Sequence, residues 1–288
     1  MMKTRIALLT TLLAGQTFAA DTAPLTLDVY HGDENSFLVT STLVYGETEA
    51  ALIDTGFTRA DALRIAAKVL DSGKELKTIF ISQADPDYYF GAEVIHQFFP
   101  NAEIITTPAV KKVIEKKLAG KVAFWGPKMG ANAPVKPIVP EAVTASSFSV
   151  NGTPIEIKGT EGALAHRPYL WLPANKAVLG NVGVFGDMHG WMADTQTDAE
   201  LAAWTAQLKK MQALKPEVVV PGHMAADTSL NADAIEYSLS YITDFVEAKK
   251  SSKDSKTLIE KMTKLYPDVV EPSSLDLSAK VHTGEMEW

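Results

Sequence analysis

The segment SQADPDYYFG, Ser82–Gly91, decides how the fold of this sequence is interpreted. It follows a short apolar run, KTIFIS, whose composition is typical of a strand covered on both faces by helices. Asp85 and Asp87 come directly after that strand. Because α/β proteins place their functional groups at the carboxyl ends of strands, we expect these two carboxylates in a functional site.

Two further apolar runs end in polar residues of the same kind. The run LIDTG, Leu52–Gly56, ends in Asp-Thr-Gly, and the run VVVPGH, Val218–His223, ends in Pro-Gly-His. We expect Asp54 to be a buried structural carboxylate that is hydrogen-bonded to the backbone of residues 83–87. His223 is an imidazole donor at a third strand end.

These three strand ends, in this order, resemble the metallo-β-lactamase superfamily. In that family a strand ending in Asp-Thr-Gly precedes Thr-His-x-His-x-Asp-His, and a late strand ends in Pro-Gly-His. The stretches AFWGPKMGANAP, HGWMADT and KVHTGEMEW are similar to an exported subgroup of Vmh-type metallo-hydrolases. The resemblance implies an α/β fold, the four-layer αβ/βα sandwich of the metallo-β-lactamase type, with one domain over residues 20–288.

The departures from the family pattern affect the metal site. Gln83 stands at the first histidine of the motif, Asp85 at the second and Tyr88 at the last, while Asp87 matches the aspartate. The bridging aspartate aligns with Asn181. The sequence therefore predicts a divergent active site that does not hold two zinc ions, which require several imidazoles and carboxylates.

The resemblance leaves three residues as candidate metal ligands, namely Asp85, Asp87 and His223. A carboxylate-rich set favours oxygen-preferring ions, so one Mn²⁺, Fe²⁺, Mg²⁺ or Ca²⁺ is as plausible as one Zn²⁺. No metal at all is an equal alternative, in which Asp85 and Asp87 only cap the helix that follows. His166 is a further candidate in an uncertain register.

The segment GDMHGWMADT, Gly186–Thr195, aligns with a loop at the mouth of the family's site. We expect His189 and Asp87 to be the catalytic acid–base groups, with an exposed loop position as the alternative for His189. Trp191 is either an apolar wall of the site or a core residue. For Asp194 and Thr195 the sequence favours capping of the next helix.

The hydrophobic pattern predicts the elements around these motifs. Three antiparallel strands are expected over residues 25–54. Helices are expected over residues 58–70, 92–99, 109–119, 196–214, 232–249 and 255–265, and further strands over 77–82, 103–106 and 217–221 and in four runs between 146 and 182. Residues 124–143, rich in Pro and Gly, are predicted to form a long irregular loop.

Composition excludes several classes of protein. The chain has 288 residues, 46% hydrophobic and 22% charged, which are ordinary globular values. It contains no cysteine, so disulfides, zinc–thiolate sites and thiol nucleophiles are excluded. The formal net charge of −8 argues against nucleic acid as a partner.

The first residues predict export. Lys3 and Arg5 precede an apolar run from Ile6 to Ala14 and small residues at Thr17 and Ala19, the order of a secretory signal peptide over residues 1–19. We expect a periplasmic or secreted protein with no integral membrane segment after processing.

Two functions are consistent with these features. One is a divergent hydrolase in which at most one metal ion, Zn, Mn or Fe, activates water for attack on an ester, amide or lactone. The other is a noncatalytic exported protein that binds a small molecule on the same fold. The missing histidines favour the second, and the joint presence of Asp85, Asp87 and His223 favours the first.

Overall fold

The computed structural model describes residues 23–270 and 273–288. Within them, two sheets face each other and helices cover their outer sides. The predicted signal peptide lies outside the described residues, so its processing stays a prediction.

The first sheet has six strands in sequential order, β1 to β6. β1, β2 and β3 pair antiparallel, as predicted, and β3 through β6 pair parallel. The strands are β1 (Thr26–His31), β2 (Thr40–Tyr45), β3 (Glu49–Ile53), β4 (Glu75–Phe80), β5 (Glu103–Thr106) and β6 (Glu141–Ala142).

The second sheet has five strands in the order β12-β10-β9-β8-β7, and β11 and β13 form a small parallel pair beside it. The strands are β7 (Ser147–Val150), β8 (Thr153–Lys158), β9 (Tyr169–Leu172), β10 (Ala177–Leu179), β11 (Phe185–Gly186), β12 (Val218–Val219) and β13 (His223–Met224). The four strand runs predicted between residues 146 and 182 are confirmed.

Eight α-helices connect and cover these sheets in the part of the chain that is described. They are α1 (Arg59–Ser72), α2 (Pro86–Tyr89), α3 (Ala92–Phe98), α4 (Pro108–Met129), α5 (Asp198–Ala213), α6 (Asp233–Lys250), α7 (Ser255–Leu265) and α8 (Ser274–His282). Thr58 caps α1 through a reciprocal bond with Asp61, as the capping-box pattern requires.

Three separate hydrophobic clusters establish the layer order. One lies between the sheets and includes Ile53 and Phe80 of the first sheet and Leu170 of the second. A second cluster packs the first sheet against α1, α3 and α4, and a third packs the second sheet against α5 to α8. Each sheet is thus buried on both faces, and the predicted four-layer αβ/βα sandwich is confirmed.

The predicted loop over residues 124–143 is wrong in its first part. α4 continues through Phe124 and Trp125 to Met129, with Pro127 inside its last turn. The ring of Trp125 packs edge-on against Phe37 and Phe57 at centroid distances of 5.5 and 5.2 Å. This tertiary contact stabilises a helical end that the local Pro and Gly content disfavours.

Among the helices described, none combines the length and the apolar composition that crossing a bilayer requires.

Candidate active site

Asp87 and His223 meet at the carboxyl ends of the strands. Asp87 lies in α2, directly after β4, and His223 begins β13. The His223 Nε2 atom is 3.3 Å from the Asp87 Oδ2 atom, and both side chains are about one-tenth exposed. The Pro-Gly-His turn is held to β2, because the Thr40 hydroxyl donates to the Pro221 carbonyl at 2.6 Å.

The hydrogen bonds of His223 determine which ring nitrogen carries the proton. Its Nδ1 atom lies 2.8 Å from the Phe37 carbonyl oxygen, which can only accept, so Nδ1 donates. Burial lowers the pKa of His223 to about 4, and Nε2 of the neutral ring is then an acceptor. Burial, reinforced by Asp85, raises the pKa of Asp87. A protonated Asp87 can therefore donate to Nε2, and the two groups form a neutral pair that shares one proton.

Aromatic rings hold the imidazole from two sides. Phe185, paired with His223 in the β11–β13 ladder, stacks on it at 5.7 Å and 13°. Tyr88 meets it edge-on at 5.6 Å. The ring of His223 is therefore fixed in orientation by packing as well as by its hydrogen bond.

Asp54 is hydrogen-bonded to the residue Ser82, which follows β4. Ser82 donates its backbone N–H and its hydroxyl to the two carboxylate oxygens of Asp54, each at 2.7 Å. The expected partners at residues 83–87 were wrong, because Ser82 occupies that position. Burial raises the pKa of Asp54 to about 7. Its φ of 61° is a left-handed conformation that a non-glycine residue rarely adopts.

Asp85 lies beside a lysine from α4. The Lys121 Nζ atom is 3.6 Å from Asp85 Oδ1, and the Asp85 side chain is 34% exposed. Although Asp85 is the residue before α2, its side chain makes no capping hydrogen bond to that helix. The alternative in which Asp85 acts only as a helix cap is therefore not supported.

Gln83, Tyr88 and Asn181, which the sequence aligns with family ligands, are buried. Gln83 donates weakly to the Pro168 carbonyl at 3.4 Å. Asn181 accepts from the Gly183 N–H at 2.9 Å and approaches the Met211 sulfur at 3.5 Å. Within the described residues, no donor or acceptor reaches the Tyr88 hydroxyl.

A cavity of about 360 Å³ opens above the Asp87–His223 pair. Asp85, Asp87 and His223 all line it, so the structure brings the three predicted ligands to one cavity. Three of the five tryptophans are also in its lining. The aromatic lining residues are Phe37, Phe57, Tyr88, Phe124, Trp125, Phe185, Trp191 and Trp288. The cavity therefore suits an apolar small molecule that meets polar groups at one end.

Two tryptophans and an aspartate form another part of the cavity lining. Trp191 and Trp288 each donate an indole N–H to Asp194, at 2.6 and 2.8 Å. Asp194 thus binds two rings, and α5 is capped instead by Thr197 with Glu200. The expectation that Asp194 and Thr195 cap this helix was wrong. Trp288 and Lys121 were not recognised from the sequence; the aromatic ending GEMEW was the available signal.

His189 and His166 lie outside the lining of this cavity. His189 Nδ1 is 3.0 Å from the Tyr241 hydroxyl, and its ring packs against Tyr241 and Tyr266. Burial lowers the pKa of His189 to about 4. Neither His189 nor the half-buried His166 is among the described residues that line the cavity. The catalytic role expected for His189 thus receives no geometric support.

The donor set does not fit the two-ion centre of the family. Asp87 and His223 contact each other, and Asp85 is paired with Lys121. In the described part of the chain, no three His, Asp or Glu side chains are grouped as a metal ion requires. Zinc sites use three or four protein ligands, so the arrangement seen here supplies too few.

A family model identifies the family of this chain. Residues 35–223 match the family model described as the metallo-beta-lactamase superfamily. Because this match spans more than half of the chain, the protein belongs to the metallo-β-lactamase superfamily. No curated protein matches the chain in sequence.

Solved structures show the same fold at low sequence identity. A metallo-beta-lactamase family protein from Thermus thermophilus is 16% identical with a TM-score of 0.64, covering 90% of this chain and 91% of that one. DIM-1 metallo-beta-lactamase is 15% identical (TM-score 0.55; 76% and 97% covered). A metallo-beta-lactamase from Pontibacter korlensis is 19% identical (TM-score 0.51; 76% and 93% covered).

Proposed function

We propose that this protein is a hydrolase-like member of its superfamily that acts on a small ester, amide or lactone in the cavity above Asp87 and His223. The observation that carries this proposal is the 3.3 Å contact between a carboxyl group and an oriented imidazole in a mainly apolar cavity. Superfamily membership agrees with a hydrolase-like function.

The chemistry assigned to the chain's own residues is proton transfer. Water gives a proton to the free carboxyl oxygen of Asp87, and the proton that Asp87 shares with His223 passes to Nε2, as the water oxygen bonds to the substrate carbonyl carbon. That proton then passes to the leaving oxygen or nitrogen as its bond to the carbonyl carbon breaks. Phe37, through its carbonyl, keeps the His223 ring in the tautomer that this step requires.

The number of metal ions is part of the proposal. We expect fewer than two tightly bound ions per chain, because Gln83, Tyr88 and Asn181 replace family ligands. A single Zn, Mn or Fe ion held by Asp85, Asp87 and His223 stays a prediction that the spacing of these side chains does not support. The proton-transfer scheme does not depend on it. Elemental analysis of untagged protein, together with melting curves with and without added Mn²⁺ or Zn²⁺, tests the count.

Turnover of p-nitrophenyl acetate and of a matched anilide tests the activity. We expect Asp87→Asn and His223→Gln each to reduce kcat/KM about 100-fold, the usual size of an acid–base contribution. His96→Gln is the matched control, since His96 lies in α3 and is not in the cavity lining. Unchanged turnover in both site variants would refute the assignment.

The second candidate function is noncatalytic binding of a small molecule in the same cavity. It is favoured by the mainly apolar lining and by the incomplete donor set. A wild-type protein that binds apolar amides but hydrolyses none of the esters or anilides would support it. Export to the periplasm or beyond is likewise proposed; a mature protein beginning at Ala20 or Asp21 in mass spectrometry would support it.

A further inference from the structure

Asp194 holds together a pair of rings in the cavity wall. Both of its carboxylate oxygens are used, one by the indole N–H of Trp191 and one by that of Trp288. The two indole rings also meet edge-on, with centroids 5.2 Å apart and planes at 71°. Charge-assisted bonds of this kind fix the position of both rings more firmly than packing alone.

The segment that carries Trp288 is anchored as far as Met286, since the backbone N–H groups of Glu285 and Met286 both donate to the Lys280 carbonyl. Glu285 accepts from the backbone N–H and the hydroxyl of Ser255, both at 2.7 Å. Met286 and Trp288 line the cavity and are 41% and 47% exposed. Trp288 is therefore a wall residue whose position depends mainly on Asp194 and Trp191.

The carboxylates near the cavity already have partners. Asp85 lies beside Lys121, Asp87 beside His223, and Asp194 between two indoles. Lys121 also approaches the Trp288 ring, with its Nζ atom 6.0 Å from the ring centroid. An organic cation would have to compete with these partners, so the lining favours a neutral group.

We propose that Trp288, positioned by Asp194, is the specificity-determining wall of this cavity and selects substrates that carry a neutral aromatic ring. The inference deepens the proposed function and names the substrate class of the same cavity. Aromatic rings gain from edge-to-face and offset contacts that a saturated ring of similar size cannot make. Trp191 is in ring contact with Trp288, and Phe124 lines the same cavity, so the lining offers several such contacts.

Binding of two uncleaved amides tests the inference separately from hydrolysis. Calorimetry with phenylacetamide and cyclohexylacetamide compares an aromatic ring with a saturated one. We expect the wild-type protein to prefer phenylacetamide about tenfold, equivalent to about 1.4 kcal/mol. Trp288→Ala should remove that preference, because phenylacetamide then loses more affinity than cyclohexylacetamide does.

Three further variants test which residues produce the preference for phenylacetamide. Trp288→Phe keeps an aromatic ring and should restore most of the preference. Asp194→Asn leaves one indole without its acceptor and should reduce the preference about threefold, identifying Asp194 as a positioning residue. Phe98→Ala, at a residue of α3 that is 49% exposed and not in the cavity lining, should change neither affinity.

Three results would overturn the inference. They are a wild-type protein that binds neither amide, a wild-type protein without preference for phenylacetamide, and a Trp288→Ala variant that keeps the preference. The preference for phenylacetamide without any ester hydrolysis would leave this inference standing and overturn only the catalytic part of the proposed function.

Discussion

The inner end and the outer wall of the cavity are built in different ways. At the inner end, Asp87, Tyr88 and His223 are buried and follow directly from sheet strands. At the outer wall, Trp288 and Phe124 are about half exposed and come from a chain segment after α8 and from the end of α4. The inner end is tied to the sheets, whereas the wall depends on a few side-chain contacts.

This difference separates the residues assigned to proton transfer from the residues assigned to ligand selectivity. Groups that must keep sub-ångström positions are placed on elements that the core holds rigid. Groups that choose the ligand lie on peripheral segments, which tolerate change because little packing depends on them. Substitutions at the inner end should therefore affect folding, and those at the wall should mainly affect binding.

The largest effect is expected from Gly222→Ala at the inner end. A Cβ atom there would lie 2.4 Å from the Asn181 carbonyl oxygen and 2.6 Å from the Tyr88 hydroxyl. Because a backbone carbonyl cannot move aside cheaply, we expect a loss of about 3 kcal/mol or more in unfolding free energy. Denaturant unfolding measures it.

Gly120→Ala is the matched control for that variant. Gly120 lies inside α4, and nothing stands within 4 Å of the position of an added Cβ atom. Alanine is the better helix former, so this change should stabilise the protein by up to about 1 kcal/mol. Equal effects of the two variants would contradict the rigid inner end.

An intermediate effect is expected from pH, through Asp54. Its folded-state pKa of about 7 lies above the ordinary value of 3.8, so the folded state holds the proton more tightly. Stability is then fully present below the unfolded pKa and falls as pH rises toward the folded one. Between pH 5 and pH 8 this amounts to about 3 kcal/mol. Asp54→Asn should remove this part of the decline in unfolding free energy and leave the decline of the same sign that Asp87 contributes.

Asp61 in α1 should change stability with pH in the opposite direction to Asp54, because its pKa is lowered. Burial alone would raise its pKa, but hydrogen bonds from Ser36, Thr58 and Tyr30 lower it. Its contribution to stability is therefore present above the unfolded pKa and is lost as pH falls through the folded pKa. Asp61→Asn should leave the decline between pH 5 and pH 8 intact. If it removed that decline, the assignment to Asp54 would be wrong.

The smallest effect is expected from Tyr88→Phe. The Tyr88 hydroxyl is buried and no described residue pairs with it, so its removal costs no hydrogen bond within the protein. We expect the melting temperature to rise slightly, corresponding to about 1 kcal/mol or less. A clear fall in melting temperature would show that the hydroxyl makes a stabilising contact.

The sequence predicted the fold well because its signals are local. The strand ends at Asp54, Asp87 and His223 each follow a short apolar run, and their order alone indicates the family. The sandwich then follows, since sheets buried on both faces need helices outside. The α4 extension was missed because its helical end depends on contacts with Phe37 and Phe57, which are far away in sequence.

The site was predicted only in part for the same reason. Asp85, Asp87 and His223 share a motif or a strand end, and they do line one cavity. His189 carries the same chemistry in sequence, yet its ring packs against Tyr241 and Tyr266. No local pattern distinguishes an imidazole at a cavity from one in an aromatic cluster, because that choice is made by tertiary packing.

The Asp194–Trp288 bond also has a consequence for the order of folding. Its two residues are 94 positions apart, whereas the Trp191–Asp194 bond spans only three. The Trp191–Asp194 bond can thus form locally, whereas Trp288 joins it only after the segment beyond α8 has come back to the cavity. Because Trp288 is 47% exposed, its attachment is weaker than that of the buried strand ends, and the cleft stays open on one side until it docks. The outer wall would dock last and, in partial unfolding, be the first part to leave.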